Sequence, residues 1–157
     1  MHWKEKILQR YNGLTNLDDF IACSSKPLKK SIRVNTLKTD VKEIKSRLKE
    51  YDLKQIPWCG EGFWLKGKSI GNIEEHFLGY IYMQEAASMI PPLILDPKDE
   101  IILDMCASPG SKTTQLAALM KNKGLIIANE PKIDRLKPLS INLQRLGVSN
   151  TVMTRME

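Results

Sequence analysis

No run of about 18 apolar residues occurs in the sequence, so a membrane-spanning helix is not expected. The first residues, MHWKEKILQRYN, lack the apolar stretch of a secretory signal, and the cytoplasm is the expected compartment. Cysteine is scarce. Cys23, Cys59 and Cys106 are odd in number and widely spaced, with no CxxC pair, which argues against a disulfide framework and against a zinc or other metal site. There are no internal repeats and no low-complexity tract. What is present is enough apolar content, 42%, to build a core in one domain of 157 residues or in two small ones.

The net charge of +6 is unevenly spread. Residues 1–58 hold thirteen Lys and Arg against seven Asp and Glu, whereas residues 59–157 hold eleven of each. A basic first third beside a neutral remainder suggests a nucleic-acid-facing part next to a small-molecule part, although a lysine-rich solvated surface explains the bias about as well. On the nucleic-acid reading, Lys29, Lys30 and Arg33 are the candidate RNA contacts.

Along the chain, KEKILQRY and NLDDFIACS read as short helices. SIRVNTLK reads as a strand in which Ile32, Val34 and Thr36 alternate with Arg33, Asn35 and Leu37. Asp40 is a plausible N-cap for a helix carrying Val41, Ile44, Leu48 and Tyr51 on one face. LKQIPW and GFWLKG follow as two strands joined by Cys59-Gly60-Glu61-Gly62, giving a small basic β-α-β-β unit near residues 31–68. Trp58, Phe63 and Trp64 could form a base-stacking platform, but alternating aromatics in short strands are more often core.

The remainder alternates strictly. After GYIYMQEAASMI comes a helix that Pro91-Pro92 must end, kink or restart. EIILDMC, LIIANE and NTVMTRME are strands separated by the helices TTQLAALMKNK, with Gly124 as its stop, and KIDRLKPLSINLQRLG, where Pro138 predicts a kink or a late start. This β-α-β-α-β order predicts a parallel sheet with a ligand at the carboxyl ends of its strands. The expected division is a basic RNA-positioning module over residues 1–72 and a ligand-binding α/β domain over 73–157.

Three ligands compete for the loop in IILDMCASPGSKTTQ. A Walker A loop requires glycine where Cys106 and Ser111 stand, and a dinucleotide fingerprint requires GxGxxG where only Gly110 is found. A small-residue turn that admits a polar ligand to backbone amides remains, with an acid at the end of the next strand. Glu130 stands 20 residues after Gly110, the spacing of a carboxylate that accepts ribose hydroxyls. An adenosine ligand without a pyrophosphate points to S-adenosylmethionine.

LDMCASPGSKTTQ resembles the cofactor motif of the Nop2/Sun family of RNA cytosine-C5 methyltransferases. IRVNTLK, IPWCGEGFW, GYIYMQEAASM, IIANE and NLQRLGVSN resemble that family in the same order. IPWCGEGFW is most similar to the bacterial branch acting on 16S ribosomal RNA, so ribosomal RNA is the implied partner. The resemblance runs from about residue 28 to the end and implies the first half of a Rossmann-like class I methyltransferase domain after the basic module. It implies that Cys106, Ala107, Ser108, Pro109, Gly110, Ser111 and Lys112 wrap the methionine and ribose of S-adenosylmethionine. Glu130 would hold the ribose hydroxyls, and Glu157 would stand where the family has an aspartate near the adenine. Asp104 would order the loop, and Cys106 would be a small packed residue rather than a nucleophile. His2 and His76 receive no role.

In the family, a cysteine thiolate adds to C6 of cytosine to make C5 nucleophilic, and the two working cysteines sit in Pro-Cys and Thr-Cys motifs. Neither dipeptide occurs in this sequence. The expectation is an N-terminal portion without catalytic cysteines and without activity on its own. The alternatives are a non-catalytic RNA-binding module with a vestigial nucleotide site, and a methyltransferase of another substrate class.

Overall fold

The computed structural model describes residues 4–66 and 70–157, so His2 lies outside the described residues. Two short helices come first: α1 (Glu5–Tyr11) and α2 (Leu17–Ser24). The Asn16 side chain caps α2 by accepting from the Asp19 amide, and Tyr11 stacks on Phe20 with ring centroids 4.4 Å apart. Then follow β1 (Ser31–Val34), α3 (Val41–Arg47), β2 (Asp52–Ile56), β3 (Cys59–Lys66), α4 (Glu74–Phe77) and β4 (Ile81–Met83). The four strands form an antiparallel sheet in the order β2-β3-β1-β4. Asp40 caps α3 through the Glu43 amide at 2.8 Å, which aims Ile44 and Leu48 at Ile32, Val34, Phe63, Leu65 and Ile81. Each such side chain, fully buried, contributes about 1.5–3 kcal/mol.

Two local expectations for this sheet change. β1 shows no alternation: all four residues are buried, because the strand is central and is covered on both faces. The β2–β3 turn is Pro57-Trp58, and Cys59 to Gly62 already belong to β3. The Gln55 amide fastens that strand by donating to the carbonyls of Cys59 and Gly62, both at 2.7 Å. Because β4 takes part, the antiparallel unit reaches beyond residue 72.

A 3-10 turn (Ala86–Met89) leads into α5 (Ile90–Leu95), whose first turn contains Pro91 and Pro92, so the prolines restart a helix. β5 (Ile101–Asp104), α6 (Ser111–Leu119), β6 (Leu125–Asn129), α7 (Ile133–Leu146) and β7 (Thr151–Thr154) then make a parallel sheet in the order β5-β6-β7. α6 stops before Gly124. Left-handed Lys121 and Asn122 make the turn, and Gly124 only leads into β6. α7 begins ahead of Pro138 and runs through it without a break, held by buried Leu139, Leu143 and Leu146. α6 and α7 pack on one face of the sheet, over Ile126 and Ala128. On the other face Leu103, Ile127 and Val152 fall in one cross-strand row, and Leu103 and Val152 are more than half exposed. No helix of the described residues is long and apolar enough to cross a membrane.

Candidate functional site

Asp104 closes β5 and orders the turn after it. Its carboxylate accepts from Thr113 Oγ1 at 2.7 Å and from the Cys106 amide at 3.4 Å, tying the turn to the start of α6. The Ser108–Pro109 peptide is cis, and the Ser108 hydroxyl donates to the Arg135 carbonyl at 2.7 Å while Arg135 returns a bond to the Ser108 carbonyl. Gly110 has φ +102°, a left-handed conformation, and an added Cβ would stand 3.2 Å from Leu139. Glycine is thereby required for the chain to turn into α6. Ala107, Ser108 and Gly110 are buried, Pro109 and Lys112 are exposed, and Ser111 lies between.

At the carboxyl ends of the three parallel strands lies a cleft of about 450 Å3, lined chiefly by Leu103, Met105, Cys106, Asn129, Thr154 and Glu157. Of the candidate ligand contacts it gathers Cys106 and Glu157. Cys106 is exposed rather than packed, since its residue sits at the lip of this cleft with nothing covering it. Lys112 belongs to a smaller cleft of about 160 Å3 beside Pro91, Pro92 and Asp104. Glu130 lines neither. Its carboxylate is buried, accepting from the Lys132 amide at 3.1 Å and facing Arg135 at 3.5 Å. Met105, Asn129 and Thr154 were not singled out from the sequence, although residues just past or at the ends of parallel strands are where a ligand is met. Asn129 organises that rim by accepting from Thr154 Oγ1 and from the Met156 amide and donating to the Met156 carbonyl.

The basic candidates divide. Lys29 and Lys30 are exposed, and Lys29 Nζ stands over the Trp64 ring, 5.4 Å from its centroid. Arg33 is a correction to the RNA-contact expectation: it is 2% exposed, so no phosphate reaches it. Its Nε donates to Gln84 Oε1 at 2.8 Å and its Nη2 to Thr114 Oγ1 at 2.9 Å, which ties the antiparallel sheet to the first turn of α6. Burial pulls its pKa down to about 10 against the raising effect of Cys59, Tyr82 and Glu61. Gln84 continues the chain to Gln115, and Gln115 donates to the Met89 carbonyl. A second tie runs through Asn35, whose amide donates to the carbonyls of Gly79 and Leu146, and Lys38, which reaches the carbonyls of Leu78 and Arg145. Phe63 is core, Trp64 is half-buried and Trp58 is exposed, its indole donating to the Ala86 carbonyl at 3.0 Å.

Residues 4–86 match the family described as the N-terminal domain of 16S rRNA methyltransferase RsmF, and residues 92–157 match 16S rRNA methyltransferase RsmB/F. The chain is 52% identical over 149 residues to a tRNA (cytosine(49)-C(5))-methyltransferase of Pyrococcus abyssi, covering 92% of this chain and 48% of that protein. It is 48% identical over 152 residues to the ribosomal RNA small subunit methyltransferase F of Shewanella sediminis, covering 90% of this chain and 32% of that protein. The chain thus spans about half or less of the length of these relatives. The crystal structure of a methyltransferase homolog from Pyrococcus horikoshii superposes with a TM-score of 0.84 at 37% identity, covering 99% of this chain and 57% of that one. The ordered cofactor-type turn, the parallel sheet behind it and a family match over more than half of the sequence agree: the chain belongs to the Nop2/Sun family of RNA cytosine-C5 methyltransferases.

Proposed function

We propose that the chain carries the cofactor-binding and RNA-positioning part of an enzyme that methylates C5 of cytosine in RNA with S-adenosylmethionine. The observation that carries this reading is the cleft at the carboxyl ends of β5, β6 and β7. Its volume lies within the roughly 300–1,000 Å3 of small-molecule sites, and Cys106, where the turn begins, lines it. The residues fit an adenosine-bearing ligand in kind. Cys106 and Glu157 line the cleft, and apolar Leu103 and Met105 offer a surface for a flat ring. When bound, S-adenosylmethionine supplies an electrophilic methyl group. Ala107, Ser108, Pro109, Gly110, Ser111 and Lys112 would position its methionine and ribose end. Glu130 would accept the ribose hydroxyls by turning its buried carboxylate from Arg135 toward the ligand.

The proposed division assigns RNA positioning, through Lys29 and Lys30, to the basic module expected over residues 1–72, extended to β4, and the cofactor to the parallel sheet after it. The RNA is proposed to be 16S ribosomal RNA, because both family matches carry that description; the 52% identity to a tRNA methyltransferase makes tRNA the competing substrate. The cytoplasm, where both RNAs are found, is the proposed compartment. None of the three thiols is proposed as the nucleophile. Cys106 lies in the cofactor turn, Cys59 is buried in the antiparallel sheet with its thiol pKa pushed up by burial and by Glu61, and Cys23 sits on α2. The 157 residues alone are therefore expected to transfer no methyl group.

Calorimetric titration with S-adenosylmethionine tests the cofactor reading. Gly110→Val should abolish binding, and Glu130→Ala should cost about 1–3 kcal/mol, the scale of hydrogen bonds to a charged group. Wild-type affinity in Glu130→Ala would remove the ribose assignment. Methyl transfer to RNA that is lost on Cys106→Ala would overturn the placing of that cysteine.

A further inference from the structure

Away from the cofactor cleft, a larger groove of about 690 Å3 opens between the segment Pro27-Leu28-Lys29 and the β2–β3 ladder. Lys54 pairs across the ladder with Trp64, and Asp52 with Lys66. Cross-strand partners share a face, as do residues two apart along a strand, so these four side chains rise on one side of the sheet. Trp64 is half-buried, braced edge-on by Trp58 with centroids 5.7 Å apart at 86°. Lys29 Nζ stands 5.4 Å from its ring centroid, and both residues line the groove, so a ring face is turned toward Lys29 there. Three exposed lysines thus frame one aromatic ring, against a single aspartate.

We propose that this groove is a nucleotide subsite for single-stranded RNA, in which Trp64 stacks an unpaired base and Lys54 and Lys66 hold the flanking phosphates. The inference rests on the RNA reading above and gives it a place. An aromatic ring needs a base freed from its own stack, which a duplex does not offer, and stacking tolerates any base while the ammonium groups follow the backbone. Lys29, displaced from the ring by the base, becomes a third phosphate contact. A peptide strand added along the edge of β2 would use neither the ring nor the lysine charges, so charge complementarity favours RNA.

Anisotropy of a fluorescein-labelled single-stranded RNA of about ten nucleotides, titrated with the 157-residue chain over a series of KCl concentrations, tests this. Lys54→Glu with Lys66→Glu should flatten the log–log salt slope by about 1.4, two phosphate contacts at roughly 0.7 each. Trp64→Leu should weaken binding roughly tenfold at unchanged slope. Lys42→Glu with Lys49→Glu, exposed on α3 and on the turn that follows it, should change neither. Thermal melting accompanies each variant; if Trp64→Leu fails to fold, the lysine pair decides alone. RNA binding that the groove variants leave intact, or that the Lys42 and Lys49 pair weakens equally, overturns the groove and spares the RNA reading. A wild-type chain without RNA affinity overturns both.

Discussion

The antiparallel and parallel sheets of this protein are built to different degrees of closure. In the first, β1 is buried along its whole length, with α3 closing one face and Arg33, Gln84 and Thr114 filling the junction on the other. In the second, α6 and α7 cover one face while Ile101, Leu103 and Val152 stay 74%, 57% and 52% exposed on the opposite one. Parallel sheets are ordinarily covered on both faces. The contrast shows which sheet is closed on both faces and which leaves an apolar row exposed. The two are joined by hydrogen bonds to Arg33 and Asn35 and by close backbone approach at Gly79, so the open sheet borrows rigidity from the closed one.

The strongest way to break that junction is Arg33→Glu. It would place an uncompensated carboxylate at a 2% exposed position, and a loss of about 3–5 kcal/mol is expected, read as a lowered urea midpoint or as failure to accumulate folded protein. Retained stability with a reduced RNA affinity would instead restore Arg33 as a surface contact. Gly79→Ala comes next. Gly79 has φ +73°, and an added Cβ would stand 1.9 Å from the Arg145 carbonyl oxygen, so about 3 kcal/mol is expected from strain and overpacking together. A near-neutral Gly79→Ala would show that the turn is free of α7. The smallest effect belongs to the bare face. Leu103→Thr with Val152→Thr should change stability by about 0.5 kcal/mol or less while reducing self-association in sedimentation velocity, because an exposed apolar patch attracts partners without holding the fold. A large loss of stability there would mean that the face is already part of the core.

The sequence by itself determined the strict strand–helix alternation after residue 100, the Asp40 cap, the role of Asp104 in ordering the turn and the family. Each depends on residues close in sequence: apolar spacing, a carboxylate three residues from an amide, a motif of consecutive small residues. Only the tertiary structure decided what Arg33 does, because the partner of its Nη2, Thr114, lies 81 residues away and no local pattern distinguishes a buried arginine from a phosphate-binding one. Long-range contacts likewise decided that Gln55 pulls Cys59 to Gly62 into β3, that packing of Leu139 and Leu143 carries α7 through Pro138, and that Glu130 is held by Arg135. Cys106 shows the same division from the other side. Its place in the cofactor motif and the usual burial of free cysteines predicted a packed residue, but Cys106 is exposed at the lip of the cleft.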